Sequence, residues 1–365
     1  MIAVFAYAFP HRKTHDFLCE LMLSGHKDVI VIAAPFKVIA EVDKACYLRN
    51  ASKNAAPISA KNICSEFNYQ YFETAHDNID LISKLVVDQN IKLGIISGAR
   101  IIKQKIIDLF EEGIVNFHPG KIPETSGLDA FFYSIKNNVE VGVTTHLIDP
   151  RVDAGKFLAF DVVNIKHDDT PEDVQFNNYA MQITALRKFL NTSKNNYLNP
   201  LEISNYKKNI PMKPKEKLKQ LDKFLRWKKE QIFNQYGHEL LKKCTNGELK
   251  AAMNITSQAP GILEFKNEKG WTPLIVAAFN QHKDLVEAFL RAGANPNVAN
   301  INGTTPLMFA KTALMKEKQP STELLELLIA YGANINYCDK FGKNIHDYVV
   351  NHEYLKIFFI EMESA

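Results

Sequence analysis

Three short runs, IAVFAYAF at residues 2 to 9, DVIVIAAP at 28 to 35 and LGIISG at 93 to 98, are apolar at nearly every position. Such runs suit strands buried on both faces, as in a parallel sheet covered by helices on either side. A polar loop and a helical spacing near residues 14 to 25 separate the first two, giving strand, helix, strand. A doubly wound, Rossmann-like α/β domain is the expected fold. Farther on, EVGVTTHLID alternates and runs into a turn at Pro150, and GKFLAFDVVNI reads as another strand, so residues 140 to 166 are expected to form a hairpin-linked pair. A helix follows: Thr170 caps it, Pro171 suits its first position, and Glu172 and Asp173 favour the positive end of the dipole. It is expected to run to about Leu190, and the Pro-punctuated stretch after it closes the domain near residue 215.

The last hundred residues repeat. GWTPLIVAA from Gly270 is echoed by GTTPLMFA from Gly303, 33 residues later, and each is followed by a leucine-rich helix and a GAN tripeptide. A third opening starts at Gly342, with the extra length in the polar stretch KEKQPST. Thr272 or Thr305 caps a first helix, Pro273 or Pro306 takes its first turn, and Gly293 or Gly332 ends the second in a left-handed conformation. That period and those residues form the ankyrin pattern, which predicts an all-α repeat domain over residues 261 to 365. Residues 216 to 260 then read as a helical connector between it and a first domain spanning 1 to 215.

At 365 residues the chain is long enough for two domains, and 46% hydrophobic with 23% charged residues is an ordinary globular composition. No apolar run approaches the ~20 residues of a membrane span. The basic residues of MIAVFAYAFPHRK follow its apolar stretch, the reverse of a signal peptide, so cytoplasm is the expected location. Five scattered cysteines, none in CxxC, argue against a disulfide framework and a zinc site; no metal is expected. The net charge of +3 is small for a polyanion binder. Residues 207 to 229 nevertheless hold ten Lys or Arg against two acids. Leu218, Leu221, Phe224 and Leu225 recur there at helical spacing, so a solvated basic helix, not a nucleic-acid site, is the reading.

The chemistry concentrates between Val115 and Gly155. Asn116 and His118 flank one residue at the end of the apolar segment GIVNFH, so strand alternation puts both side chains on one face. Asp153 lies in a turn after another strand, within reach of the imidazole. An amide, an imidazole and a carboxylate suit attack by a neutral amine on an acyl carbon. Asn116 and a protonated His118 serve as oxyanion donors, while Asp153 holds the imidazole and takes the proton that the amine loses. The cluster has no Ser or Cys nucleophile, which implies direct transfer. His146, Asp149 and Asp168 read as structural or peripheral on residue type alone. The first strand is followed by Phe9, Pro10, His11, Arg12 and Lys13 with no GxGxxG, which disfavours a dinucleotide.

NFHP at Asn116 to Pro119, Gly127, GVTTH at Gly142 to His146 and VDAG at Val152 to Gly155 together resemble the signature of formyltransferases that use N10-formyltetrahydrofolate. The resemblance spans roughly residues 1 to 205. It implies that Asn116, His118 and Asp153 are catalytic. It also implies that N10-formyltetrahydrofolate lies between the loop Ser97, Gly98, Ala99, Arg100, Ile101, Ile102 and the loop from Ile148 through Asp149 to Asp153. The acceptor comes from the side of Phe9 to Lys13 and Gly120 to Asp129, including Pro10, Arg12 and Gly127.

The family acts on methionyl-tRNA, glycinamide ribonucleotide or nucleotide-linked amino sugars. Here the loop reads HPGKIPETSGLD instead of HxSLLP, the first loop is not glycine-rich, and the tail is ankyrin. This combination resembles sugar N-formyltransferases acting on dTDP-linked 3-amino-3,6-dideoxyhexoses, which feed bacterial surface polysaccharides such as lipopolysaccharide O-antigen. Arg12 and Lys13 are then expected at the pyrophosphate, with Tyr206 at the thymine. A homodimer is implied, and the ankyrin repeats are expected to carry dimer contacts, a second ligand or a protein near Trp271. The rival readings are an ankyrin scaffold attached to an inactive formyltransferase-like domain and a formyltransferase acting on another amine. Whether the sugar is gluco or galacto turns on one hydroxyl that no motif reveals.

Overall fold

A computed structural model describes residues 1–36, 58–99, 101–192, 201–203 and 208–364. Cys46, Arg100 and Tyr206 lie outside the described residues. The chain divides into two compact units, Met1–Lys229 and Glu230–Ala365.

Among the described residues of the first unit, β1 (Ile2–Tyr7), β2 (Val29–Ala34), β3 (Gln70–Glu73), β4 (Leu93–Ile96), β5 (Ile114–His118), β6 (Gly142–Leu147), β7 (Lys156–Val162) and β8 (Leu201–Glu202) form one sheet. Its order is β3-β2-β1-β4-β5-β6-β7-β8. Strands β3 to β5 are parallel, and β6, β7 and β8 join antiparallel. The sheet is therefore mixed, the expected hairpin pair extending a parallel half.

The apolar runs read as they do because both faces are covered. On one face Val4, Val31, Val115 and Phe117 pack with Phe17 and Leu18 of α1 (Arg12–Leu23), Ile63 and Cys64 of α2 (Ala60–Phe67), and residues near the end of the capping-box helix at Pro171–Asn191. On the other, Phe5, Ile32 and Ile114 pack with Ile82 and Leu85 of α3 (Ile79–Asp88) and Ile106 of α4 (Gln104–Ile107). Strand order reverses between β1 and β4, and in open α/β sheets ligands sit beyond the carboxyl ends of the strands at such a point. α5 (Ala130–Asn137) separates β5 from β6, and the Pro171–Asn191 helix is α6.

The basic segment is one long helix, α7 (Pro214–Asn246), and the division between the units falls inside it. The sequence suggested a separate connector over 216 to 260. In the first unit Phe224 and Trp227 are buried, with the Trp227 ring 6.3 Å from Phe131, and Lys228 Nζ donates to the carbonyls of His167 (2.6 Å) and Asp169 (2.8 Å). Leu218 and Leu225, which the helical spacing grouped with Phe224, are 49% and 66% exposed. The two aromatics carry more apolar surface and take the buried face.

In the second unit α8 (Leu249–Gln258), α9 (Pro273–Phe279), α10 (Lys283–Arg291), α11 (Pro306–Leu314), α12 (Glu323–Ala330), α13 (Ile345–Val349) and α14 (Glu353–Ser364) share one core. Thr272 accepts from Ile275 N–H (3.3 Å) and Thr305 from Met308 N–H (3.4 Å), with Pro273 and Pro306 in the first turns. Gly293 (φ 93°) and Gly332 (φ 89°) are left-handed, as the repeat requires. The described Cys19, Cys64, Cys244 and Cys338 are free thiols. No helix among the described residues is long and apolar enough to cross a membrane.

Candidate active site

β5 runs on to His118 past the end of its pairing with β4 at Val115, so its last residues stand at the carboxyl edge of the sheet. Alternation along β5 puts Asn116 and His118 on the face opposite the buried Val115 and Phe117. β6 pairs antiparallel with β5, setting Asn116 opposite His146 and His118 opposite Thr144. After β6 the chain doubles back through Asp149 to Gly155. Asp153 is left-handed (φ 51°), and Gly155 (φ 102°) sits where a Cβ would collide with the Leu147 carbonyl oxygen. Glycine is thus required for the turn that returns the Asp153 carboxylate to β5.

The three side chains converge. His118 Nδ1 lies 3.3 Å from Asp153 Oδ2, and Asn116 Nδ2 donates to Asp153 Oδ1 at 3.4 Å. Gly127 N–H donates to Asp153 Oδ2 at 2.8 Å, and Ser126 Oγ donates to the Asp153 carbonyl at 3.2 Å. Burial alone pushes the Asp153 carboxyl up; attraction to His118, the His118 hydrogen bond and the Gly127 N–H together outweigh it and hold the group at about 2. Asp153 is an anion at neutral pH. His118 is 4% exposed, and its Nε2 lies 3.0 Å from the Thr125 carbonyl. Both ring nitrogens face acceptors, so an imidazolium satisfies both contacts at once.

His146, which residue type alone marked as structural, belongs to the same network. Its Nδ1 lies 2.9 Å from the Ala154 carbonyl, which can only accept, so Nδ1 carries the hydrogen and Nε2 accepts from Asn116 Nδ2 at 3.2 Å. Burial, then the neighbouring His118 charge, lower His146 to about 4, which keeps it neutral and in that tautomer. Both Asn116 amide hydrogens are therefore engaged. The one on Asp153 has the longer contact and is the one available to an oxyanion. The sequence places His146 at the end of GVTTH but does not set its register: β5 and β6 are joined through α5, and only their antiparallel pairing sets His146 opposite Asn116.

The other site residues read from sequence are placed as follows. Ser97 Oγ is buried 3.0 Å from the Phe5 carbonyl and 3.2 Å from Thr14 Oγ1, and the N–H groups of Ser97 and Gly98 both donate to Phe5 O. A Cβ on Gly98 would lie 2.8 Å from the Tyr7 ring. Ile102 is core, and Asp149 accepts from Arg151 N–H and Nε, both at 2.8 Å. These groups tie the loops to the fold. Phe9 stacks on Tyr7 (4.8 Å) with Phe36 5.5 Å away, and Pro10 is exposed. Arg12 pairs with Asp16 at 2.7 Å. Lys13 turns inward to the Phe117 carbonyl at 3.1 Å, and Gly127 serves Asp153 through its backbone. The loop carrying Gly127 is itself held by the start of the basic stretch, which charge alone marks only as a solvated helix: Asn209 N–H donates to Ser126 O (3.0 Å), and Met212 N–H donates to Asp129 (2.9 Å). Among the described residues no group of three or more His, Cys, Asp or Glu is placed to hold a metal ion.

Residues 3–184 match the family model described as formyl transferase, and residues 238–339 match ankyrin repeats (3 copies), a start earlier than the 261 read from the repeat. A methionyl-tRNA formyltransferase of Borrelia duttonii is 31% identical over 101 residues, 26% of this chain and 33% of that protein. A phosphoribosylglycinamide formyltransferase of Bacillus subtilis is 24% identical over 114 residues, 30% of this chain and 58% of that protein. The chain thus spans about a third of the first relative and little more than half of the second. A sugar N-formyltransferase structure from a Shewanella species aligns with TM-score 0.39 and 17% identity, covering 57% of this chain and 76% of that one. The first unit carries a formyltransferase-family domain over residues 3–184, and helical ankyrin repeats follow in the C-terminal region.

Proposed function

We propose that this chain transfers a formyl group from N10-formyltetrahydrofolate to the amino group of a dTDP-linked 3-amino-3,6-dideoxyhexose. The observation that carries the reading is the convergence of Asn116 and His118 on the Asp153 carboxylate at the carboxyl edge of the sheet. The amine nitrogen bonds to the formyl carbon, and the oxygen of the tetrahedral intermediate takes hydrogen bonds from the Asn116 amide and from the His118 imidazolium, whose Nε2–H exchanges the Thr125 carbonyl for the oxyanion while Nδ1–H stays on Asp153. Asp153, ionised and adjacent, accepts the amine's proton directly or through water. The bond from carbon to N10 then breaks, a proton returns to N10, and tetrahydrofolate and the formamide leave. The sugar as acceptor rests on the resemblance of HPGKIPETSGLD and on its pairing with ankyrin repeats. The family's other acceptors are methionyl-tRNA and glycinamide ribonucleotide. The product would be a precursor of bacterial surface polysaccharide, made in the cytoplasm by a homodimer.

A second reading, an ankyrin scaffold with an inactive domain, draws on the ring cluster of Trp271, Phe279 (5.2 Å) and Phe309 (4.7 Å), where a further ligand or protein would bind. Incubating the full chain with N10-formyltetrahydrofolate and each amine separates the readings. Tetrahydrofolate release with a dTDP-3-amino sugar, and not with tRNA or glycinamide ribonucleotide, is expected. No release with any amine leaves the scaffold reading.

A further inference from the structure

Lys13 is the second residue of α1, yet its ammonium points into the sheet: Nζ donates to the Phe117 carbonyl at 3.1 Å and lies 5.0 Å from the Phe17 ring. Carbonyls alternate in direction along a strand. Ile148 N–H donates to Ile114 O, so the Ile114 and Asn116 carbonyls point toward β6, while those of Val115 and Phe117 point toward β4. β4 pairs with β5 only as far as Val115. The Phe117 carbonyl thus faces the side where the ladder has ended, between the two residues whose side chains meet Asp153. A carbonyl removed from water with no donor is destabilising.

We propose that Lys13 is a positioning residue: its ammonium replaces the missing ladder donor at Phe117 and fixes the strand tip that presents Asn116 and His118. The inference rests on the reading that these two act in formyl transfer. It replaces a substrate-phosphate role for Lys13, because the ammonium is spent on the protein's own backbone. Burial, partly offset by Asp153, lowers Lys13 to about 8, consistent with an inward ammonium near the carboxylate.

The test is Lys13→Met in the full chain, which keeps the length and removes the donor. Expected is a fall in kcat on the order of 10- to 100-fold, the scale of a misplacement of about 1 Å, with KM for donor and acceptor changed by less than about twofold. Faster amide exchange at Phe117 and His118, and displaced His118 ring nitrogen resonances, are expected in the same variant without substrate. A raised KM with kcat retained would overturn the proposal in favour of phosphate binding. Unchanged exchange and ring signals overturn it outright. If Lys13→Met does not fold, Lys13→Leu, which also lacks a donor, carries the same measurements with the same outcomes. Should the wild-type protein formylate no amine, the functional reading fails, while exchange and ring signals still decide the role of Lys13.

Discussion

Replacing Asp153 by Asn preserves size and removes the charge at the centre of the site. In the wild-type protein the pull of His118 and of the Gly127 N–H exceeds the cost of burial and takes the carboxyl from 3.8 to about 2. At about 1.4 kcal/mol per tenfold change, that is a net preference for the carboxylate of about 2 kcal/mol. The side chain is only 14% exposed, so solvent screens little of it. Three donors, His118 Nδ1, Gly127 N–H and Asn116 Nδ2, meet the carboxylate, and an amide has one oxygen to offer them. If the imidazolium is needed in the transition state, Asp153→Asn lowers kcat about 30-fold or more, the rate equivalent of about 2 kcal/mol. KM values should barely move. Single-turnover release of tetrahydrofolate measures this, with a melt to check that the variant folds. A kcat within about threefold of wild type would refute the reasoning, since the charge would then contribute nothing to the reaction.

His146 provides a pH test. The unfolded chain binds a proton there near 6.5 and the folded chain only near 4, so unfolding free energy falls as pH drops from about 6.5 to about 4, by up to about 3 kcal/mol from this group. His146→Gln flattens that slope in urea titrations at stepped pH, and an unaltered slope contradicts the neutral, buried assignment. Gly155→Ala drives a methyl group into the Leu147 carbonyl at a left-handed residue and displaces Asp153; a loss of activity on the order of 100-fold is expected, and a fully active variant counts against the turn as its anchor. In the repeats, Thr305→Ala removes the cap on Met308 N–H and costs about 1 kcal/mol, while Thr305→Ser keeps most of it. Equal chemical melts for the two variants would argue against the cap.

The sheet, the hairpin pair, the capped helix at Thr170 and the ankyrin turns were legible because each is written locally, in apolar runs, a capping box and glycines that must be left-handed. The trio was legible because strand alternation joins Asn116 to His118 and a glycine-enforced turn returns Asp153. What local pattern could not supply was direction. Arg12 and Lys13 look like free cations in a loop, but the helix beginning at Arg12 pairs one with Asp16 and turns the other onto β5. Ser97 and Gly98 look like a ligand loop, but their N–H groups close on Phe5 across the sheet. The long basic helix buries Phe224 and Trp227 and leaves two of its leucines exposed, a choice made by tertiary partners that spacing does not encode.

The proposed chemistry is that one amide, one imidazole and one carboxylate pass a formyl group straight to an amine. The most direct measurement is mass spectrometry of the acceptor after incubation of wild-type protein and His118→Ala with N10-formyltetrahydrofolate and a dTDP-3-amino sugar. Expected are an acceptor heavier by one formyl group, formed mole for mole with tetrahydrofolate, and a rate lower by about 100-fold or more in the variant. A formylated acceptor produced equally fast by His118→Ala, or tetrahydrofolate released with no amine formylated, would contradict it.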